Sequence, residues 1–183
     1  MKINITQTQI QNALPKIEKG LSQYCWLQNY YKTHNISKDI IFQTKFNAFY
    51  RVRRNELWRN EYYNLFERSK SSSIFFENIL NNIYDFSHRI EASFTSKLLA
   101  TIQPDFPILD KFVLENTNLS LPKTYEKNRL EKTIVVYNKL VKQFNDFCAT
   151  DDAQYLFKTF CAYYPNVKIS KTKMIDFILW QTR

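Results

Sequence analysis

The chain has 183 residues, 44% of them apolar and 16% aromatic, and 26 Lys and Arg against 17 Asp and Glu give it a net charge of +9. That length suits one core, and that apolar content excludes a disordered chain. A single glycine, Gly20, leaves no material for Gly-rich phosphate loops, dinucleotide fingerprints or runs of β-hairpins. The positive charge makes a polyanion the first partner to consider.

Residues 1–14 are too polar for a signal-peptide core, and no apolar stretch approaches the roughly 20 residues of a bilayer span. The expectation is therefore a cytoplasmic protein. Ser37 is read as the N-cap of a helix carrying Ile40, Ile41, Phe46, Phe49 and Tyr50, and a second helix carries Trp58, Tyr62, Leu65 and Phe66. After a break at Ser71–Ser73, Phe75, Phe76, Ile79, Leu80, Ile83 and Tyr84 form an apolar face. The pattern resumes at Leu98 and Leu99 after a tight connection.

Pro104 and Pro107 mark a turn before a short helix from about Leu109 to Asn116, which Pro122 is expected to end. Leu130, Ile134, Tyr137, Val141, Phe144 and Cys148 alternate spacings of four and three, placing all six on one helical face. Leu156, Phe157, Phe160, Cys161 and Tyr164 form another stripe behind Asp151 and Asp152, which suit a helix N-terminus. A last helix starts near Ser170 with Met174, Ile175, Ile178 and Leu179 inward. The fold class is all-α, a compact multi-helix orthogonal bundle forming a single domain over residues 1–183.

Cys25, Cys148 and Cys161 are odd in number, far apart and set among aromatics, as reduced core thiols are. With only His34 and His88 beside them they frame no zinc site, so neither metal nor cofactor is expected.

The densest positive cluster runs Tyr50-Arg51-Val52-Arg53-Arg54-Asn55-Glu56-Leu57-Trp58-Arg59. Guanidinium forks pair with phosphate and aromatic faces stack on exposed bases, so Arg51, Arg53, Arg54, Arg59 and Trp58 are candidate nucleic-acid contacts. An equal alternative has Phe49, Tyr50, Leu57 and Trp58 facing the core, with the arginines solvated or paired to Glu56 and Glu61. Lys168, Lys171, Lys173 and Arg183 read as a wet helix start. His88, Arg89 and Glu91 can form a polar active-site cluster, and Asp85, Arg89 and Glu91 equally a local ion network at a helix end.

Residues 89–116 read RIEASFTSKLLATIQPDFPILDKFVLEN. Two helices around a short connector, then a Pro-containing loop and an Asp opening another helix, resemble the helix-hairpin-helix DNA glycosylases. Leu109-Asp110-Lys111-Phe112-Val113 is similar to the family's V-D-x-x-V pattern, with Asp110 at the catalytic position. Ser93-Phe94-Thr95-Ser96-Lys97 stands where the family's G-x-G-x-K hairpin does. The resemblance implies DNA anchoring by Ser93, Thr95 and Ser96, flanked by Arg89 and Lys111, and base excision on a flipped nucleotide. Asp110 would then stabilise charge on the sugar and Lys97 would form an imine, with Trp58, Phe94 or Phe106 stacking on the base.

Plainer roles stand beside these. Asp110 also fits a helix cap, and Lys97 a solvated helix residue. Ser93 and Thr95 replace the hairpin glycines, which favours a second reading: a non-catalytic helical module that binds nucleic acid or a protein through the Arg51–Arg59 face.

Overall fold

A computed structural model of the chain describes residues 3–71 and 73–182, so Ser72 and Arg183 lie outside the described residues. Ten α-helices and one 3-10 turn make up its regular structure, with no strand among the described residues. The all-α expectation is met. The chain divides into two compact units, Met1–Glu18 with Gln103–Arg183, and Lys19–Ile102.

In the first unit, α1 (Gln7–Ala13) starts from a reciprocal cap: Gln9 N–H donates to Thr6 Oγ1 at 3.2 Å and Thr6 N–H donates to Gln9 Oε1 at 2.8 Å. A 3-10 turn, Leu14–Lys16, follows it. The remaining helices of this unit are α7 (Lys111–Thr117), α8 (Arg129–Cys148), α9 (Asp151–Tyr163) and α10 (Lys171–Gln181). Ser170 caps α10 by accepting from Lys173 N–H at 3.1 Å, as expected.

α10 is the hub and packs on α1, α7, α8 and α9. Its residues from Thr172 to Leu179 are all buried, which makes it a core helix covered on every side. That placement buries Lys173, expected on a wet helix start, and its ammonium pairs with the equally buried Asp176. An unpaired charge would be far too costly there.

α8 buries Thr133, Tyr137, Leu140, Phe144 and Phe147. The face is thus rotated by about a residue from the expected stripe, sharing Tyr137 and Phe144. Thr133 is admitted because its hydroxyl donates to Arg129 O at 2.8 Å. α7 ends at Asn118 in the left-handed region (φ 52°), and Leu119 N–H closes onto Leu114 O at 3.0 Å. The stop is this C-cap, four residues ahead of Pro122.

The second unit holds α2 (Glu18–Tyr30) apart from its first residue, and α3 (Ile40–Tyr50), α4 (Glu56–Ser69), α5 (Phe76–Ser87) and α6 (Ala92–Ile102). Its core is aromatic. Phe42, Phe46, Tyr62, Tyr63 and Phe66 meet edge-on or tilted, with centroids 5.5–6.4 Å apart.

Asp39, and not Ser37, caps α3, accepting from Phe42 N–H at 2.8 Å. The register that buries Phe42, Phe46 and Tyr50 leaves Ile40 77% and Ile41 59% exposed. All three cysteines are free. Cys25 and Cys148 are half-buried, whereas Cys161, expected in the core, is exposed.

Candidate nucleic-acid interface

Between α3 and α4 the chain makes a short connector that starts with an αL residue. Arg51 has φ 55° and ψ 47°, and Val52 N–H reaches back to Asn47 O at 2.9 Å. Buried Val52 pins the connector to the core, and Asn55 caps α4 by accepting from Trp58 N–H at 3.0 Å. The connector's basic side chains then separate into two groups.

Arg54 and Arg59 are held by the protein. Arg54 donates to Glu91 Oε1 at 2.5 Å, joining the connector to the turn before α6, and Arg59 donates to Arg54 O at 3.1 Å. Arg51, Arg53 and Arg89 are exposed. Neither Arg53 nor Arg89 is ion-paired to a carboxylate among the described residues. The aromatic neighbours separate too: Tyr50 is buried, Trp58 half-buried, and Leu57 is 78% exposed.

Of these, Arg53, Arg54, Leu57, Trp58 and Arg89 border a cleft of about 440 Å³ within the second unit. Arg53, Arg54 and Arg89 supply its positive charge and Glu61 a carboxylate, while Leu57, Trp58 and Phe86 form its apolar wall. Asn55 and Ser87 add neutral polar groups. The N-terminus of α4 also opens here, and its helix dipole adds partial positive charge.

Trp58 is stacked on Tyr62 at 4.9 Å and 18°, while Phe86 meets it edge-on at 5.9 Å and Phe94 is tilted against it at 5.1 Å. The Arg54 guanidinium lies 5.9 Å from the Trp58 centroid and 5.4 Å from that of Phe94. Beneath them Tyr62 donates to Phe94 O at 3.0 Å, and complete burial holds its phenol neutral by pushing its pKa well up. Two buried donors at this site, Trp58 Nε1 and Arg54 Nε, have no hydrogen-bond partner.

The residues singled out by the glycosylase resemblance are placed differently from a hairpin site. Ser93 to Lys97 lie inside α6, and the turn between α5 and α6 is formed by 88–91, with His88 left-handed at φ 52°. Thr95 and Ser96 are fully buried, and their hydroxyls donate to Glu91 O and Ser93 O, both at 3.0 Å. Ser93 is half-buried. Lys97 donates from Nζ to Tyr50 O at 3.1 Å and lies 5.1 Å from the Phe94 ring.

Asp110 belongs to the other unit. Its Oδ1 accepts from Val113 N–H at 2.9 Å, capping α7, and its Oδ2 accepts from Trp180 Nε1. Lys111 is exposed, with Glu115 one turn along α7 at 3.7 Å.

Phe86 and Ser87 are cleft residues that sequence reasoning does not pick out, while Asn55 and Leu57 stand inside the Arg51–Arg59 cluster without being read as contacts. Phe86 carries a usable signal, an aromatic at the end of α5, three residues before Arg89. Among the described residues no group of three His, Cys, Asp or Glu side chains is arranged to hold a metal, and no helix is long and apolar enough to cross a membrane. Comparison with protein-family models, curated proteins and solved structures gives no match.

Proposed function

We propose that the chain is a non-catalytic helical protein that binds nucleic acid through the cleft between the α3–α4 connector and the end of α5. The observation carrying this reading is the pair of exposed guanidiniums, Arg53 and Arg89, on the rim of a cleft walled by Trp58 and Phe86. Exposed guanidiniums bind phosphate with release of condensed counterions, and aromatic walls give bases a surface to meet. The net charge of +9 adds long-range attraction to any such polyanion.

Base excision by a helix-hairpin-helix glycosylase architecture is the weaker reading. Asp110 and Lys97 would be its reacting groups, yet both oxygens of Asp110 accept protein hydrogen bonds and the Lys97 ammonium donates to a backbone carbonyl. Those bonds engage both groups in holding the fold together and aim neither at a substrate.

Titrating a labelled oligonucleotide with the protein at several salt concentrations tests the proposal. Binding should weaken steeply with salt. Arg53→Ala with Arg89→Ala should lower affinity and flatten the log–log slope by about 0.7–0.9 for each phosphate no longer neutralised. An affinity and slope unchanged by the double substitution would show that this rim is only solvated surface.

A further inference from the structure

The cleft also bears on the form of nucleic acid that fits, an inference that rests on the proposed reading of the basic rim. We infer that it admits one unpaired nucleobase of a single strand, with the ring against Trp58 and the flanking phosphates on Arg53 and Arg89.

Size is the first reason. A cavity of about 440 Å³ lies at the lower end of the range that encloses small ligands, which is the scale of one nucleotide. Duplex DNA has no such protruding unit, because its bases are paired and stacked on both faces. A single strand can turn a base out into a recess without first breaking a pair.

The aromatic geometry is the second. Tyr62 lies flat under one side of Trp58 and fixes the indole plane. The other neighbouring rings, Phe86 and Phe94, meet it edge-on or tilted, so among the described residues no second ring lies flat on the indole. The Arg54 guanidinium lies over the indole, 5.9 Å from its centroid, so a planar, polarisable base reaches that side by displacing it, and Phe86 then meets the edge of the base.

Hydrogen-bonding capacity is the third. The wall contains buried donors without partners, Trp58 Nε1 and Arg54 Nε, alongside the carboxylate of Glu61. A small rotation of Arg54 would offer its Nε donor, beside the Glu61 acceptor, to the edge of a base, which itself carries carbonyls, ring nitrogens and amino groups. A purely anionic ligand such as inorganic phosphate has no use for Glu61 or the aromatic wall. The shared chemistry, an aromatic ring joined to phosphate, also describes a free nucleotide, so both sources enter the test.

The experiment compares four probes at low salt: a short single-stranded oligonucleotide, the same sequence as a duplex, an abasic strand of equal length and charge, and free AMP. The single strand should bind about tenfold more tightly than the abasic strand or the duplex, as expected for one stacked base, and should quench tryptophan emission. Trp58→Phe should remove most of that quenching and Phe86→Leu should narrow the preference for bases several-fold, with circular dichroism verifying that both variants fold. Equal binding of the base-bearing and abasic strands, with emission unchanged, would overturn the base-in-cleft inference and leave the basic rim standing. Binding of free AMP alone would overturn the assignment to a strand. Failure of every probe to bind would remove the proposed function as well.

Discussion

Replacing Asp110 separates a structural carboxylate from a reacting one. Its Oδ1 caps α7 through Val113 N–H and its Oδ2 accepts from Trp180 Nε1 on α10, the helix at the centre of its unit. Losing an Asp N-cap costs about 1 kcal/mol. Losing a hydrogen bond to a charged, half-buried group costs about 1.5–3 kcal/mol. Asp110→Ala should therefore destabilise by about 2.5–4 kcal/mol.

Asparagine caps a helix as well as aspartate does, but its amide would turn two N–H donors toward the Trp180 N–H. Asp110→Asn should then cost about 1.5–3 kcal/mol, from the indole hydrogen bond alone. Urea unfolding followed by circular dichroism measures both, and Trp180→Phe should add little in the alanine background because the shared bond is already gone. An Asp110→Ala protein within about 0.5 kcal/mol of wild type would refute this account, because only surface substitutions free of such interactions are that mild. The carboxylate would then be available for chemistry.

Two further outcomes follow from local geometry. Arg51 occupies a left-handed position that a non-glycine residue holds at a cost of about 1–2 kcal/mol. Arg51→Gly, offset by the greater freedom of glycine in the unfolded chain, should raise stability by up to about 1 kcal/mol in thermal unfolding while weakening oligonucleotide binding. A loss of stability would mean that the Arg51 side chain contributes more than its backbone strain costs. Burial pushes the phenol pKa values of Tyr62, Tyr63 and Tyr137 upward from the ordinary 10.0. The unfolded chain releases those protons near pH 10 and the folded one does not, so stability is intact below pH 10 and declines as pH rises above it. Alkaline titration of tyrosinate absorbance should show these three ionising only together with loss of helical signal, and smooth ionisation in the folded protein would contradict their burial.

Legibility follows the balance between local signal and tertiary packing. Ser170 and the apolar run of α10 can be read directly, because an N-cap and a dense hydrophobic segment are both local features. The stripe of α8 reads one residue out of phase, since a threonine whose hydroxyl is satisfied by its own helix counts as apolar and pattern reading counts it as polar. On α3 the isoleucines do belong to the helix, but nothing local says that Phe42 and Phe46 outcompete them for the aromatic core. Neither α1 nor α2 is visible in the pattern, because α1 is short and polar and α2 has mixed faces interrupted by Gly20. The cleft draws on the α3–α4 connector and on the end of α5, about thirty residues apart in sequence, so only its arginine half stands out as a cluster.

The turn chemistry bears on why the arginine half is where it is. Among the described residues four non-glycine positions adopt positive φ, and the two in the first unit, Asn118 and Asn128, are of a type that tolerates it well. In the second unit the left-handed positions fall to Arg51 and His88, which open the connector and the turn that border the cleft. Histidine shares the asparagines' tolerance of that conformation, and arginine at 51 is the one residue of the four without it. A glycine at either place would relieve the backbone and present nothing to a ligand. Arginine at 51 instead puts an extended cationic side chain two residues before Arg53, and histidine at 88 stands next to Arg89. Both left-handed residues are helix C-caps, Arg51 closing α3 on Asn47 O and His88 closing α5 on Tyr84 O, so helix termination accounts for the two conformations, and the same two turns carry Arg53 and Arg89 to the cleft.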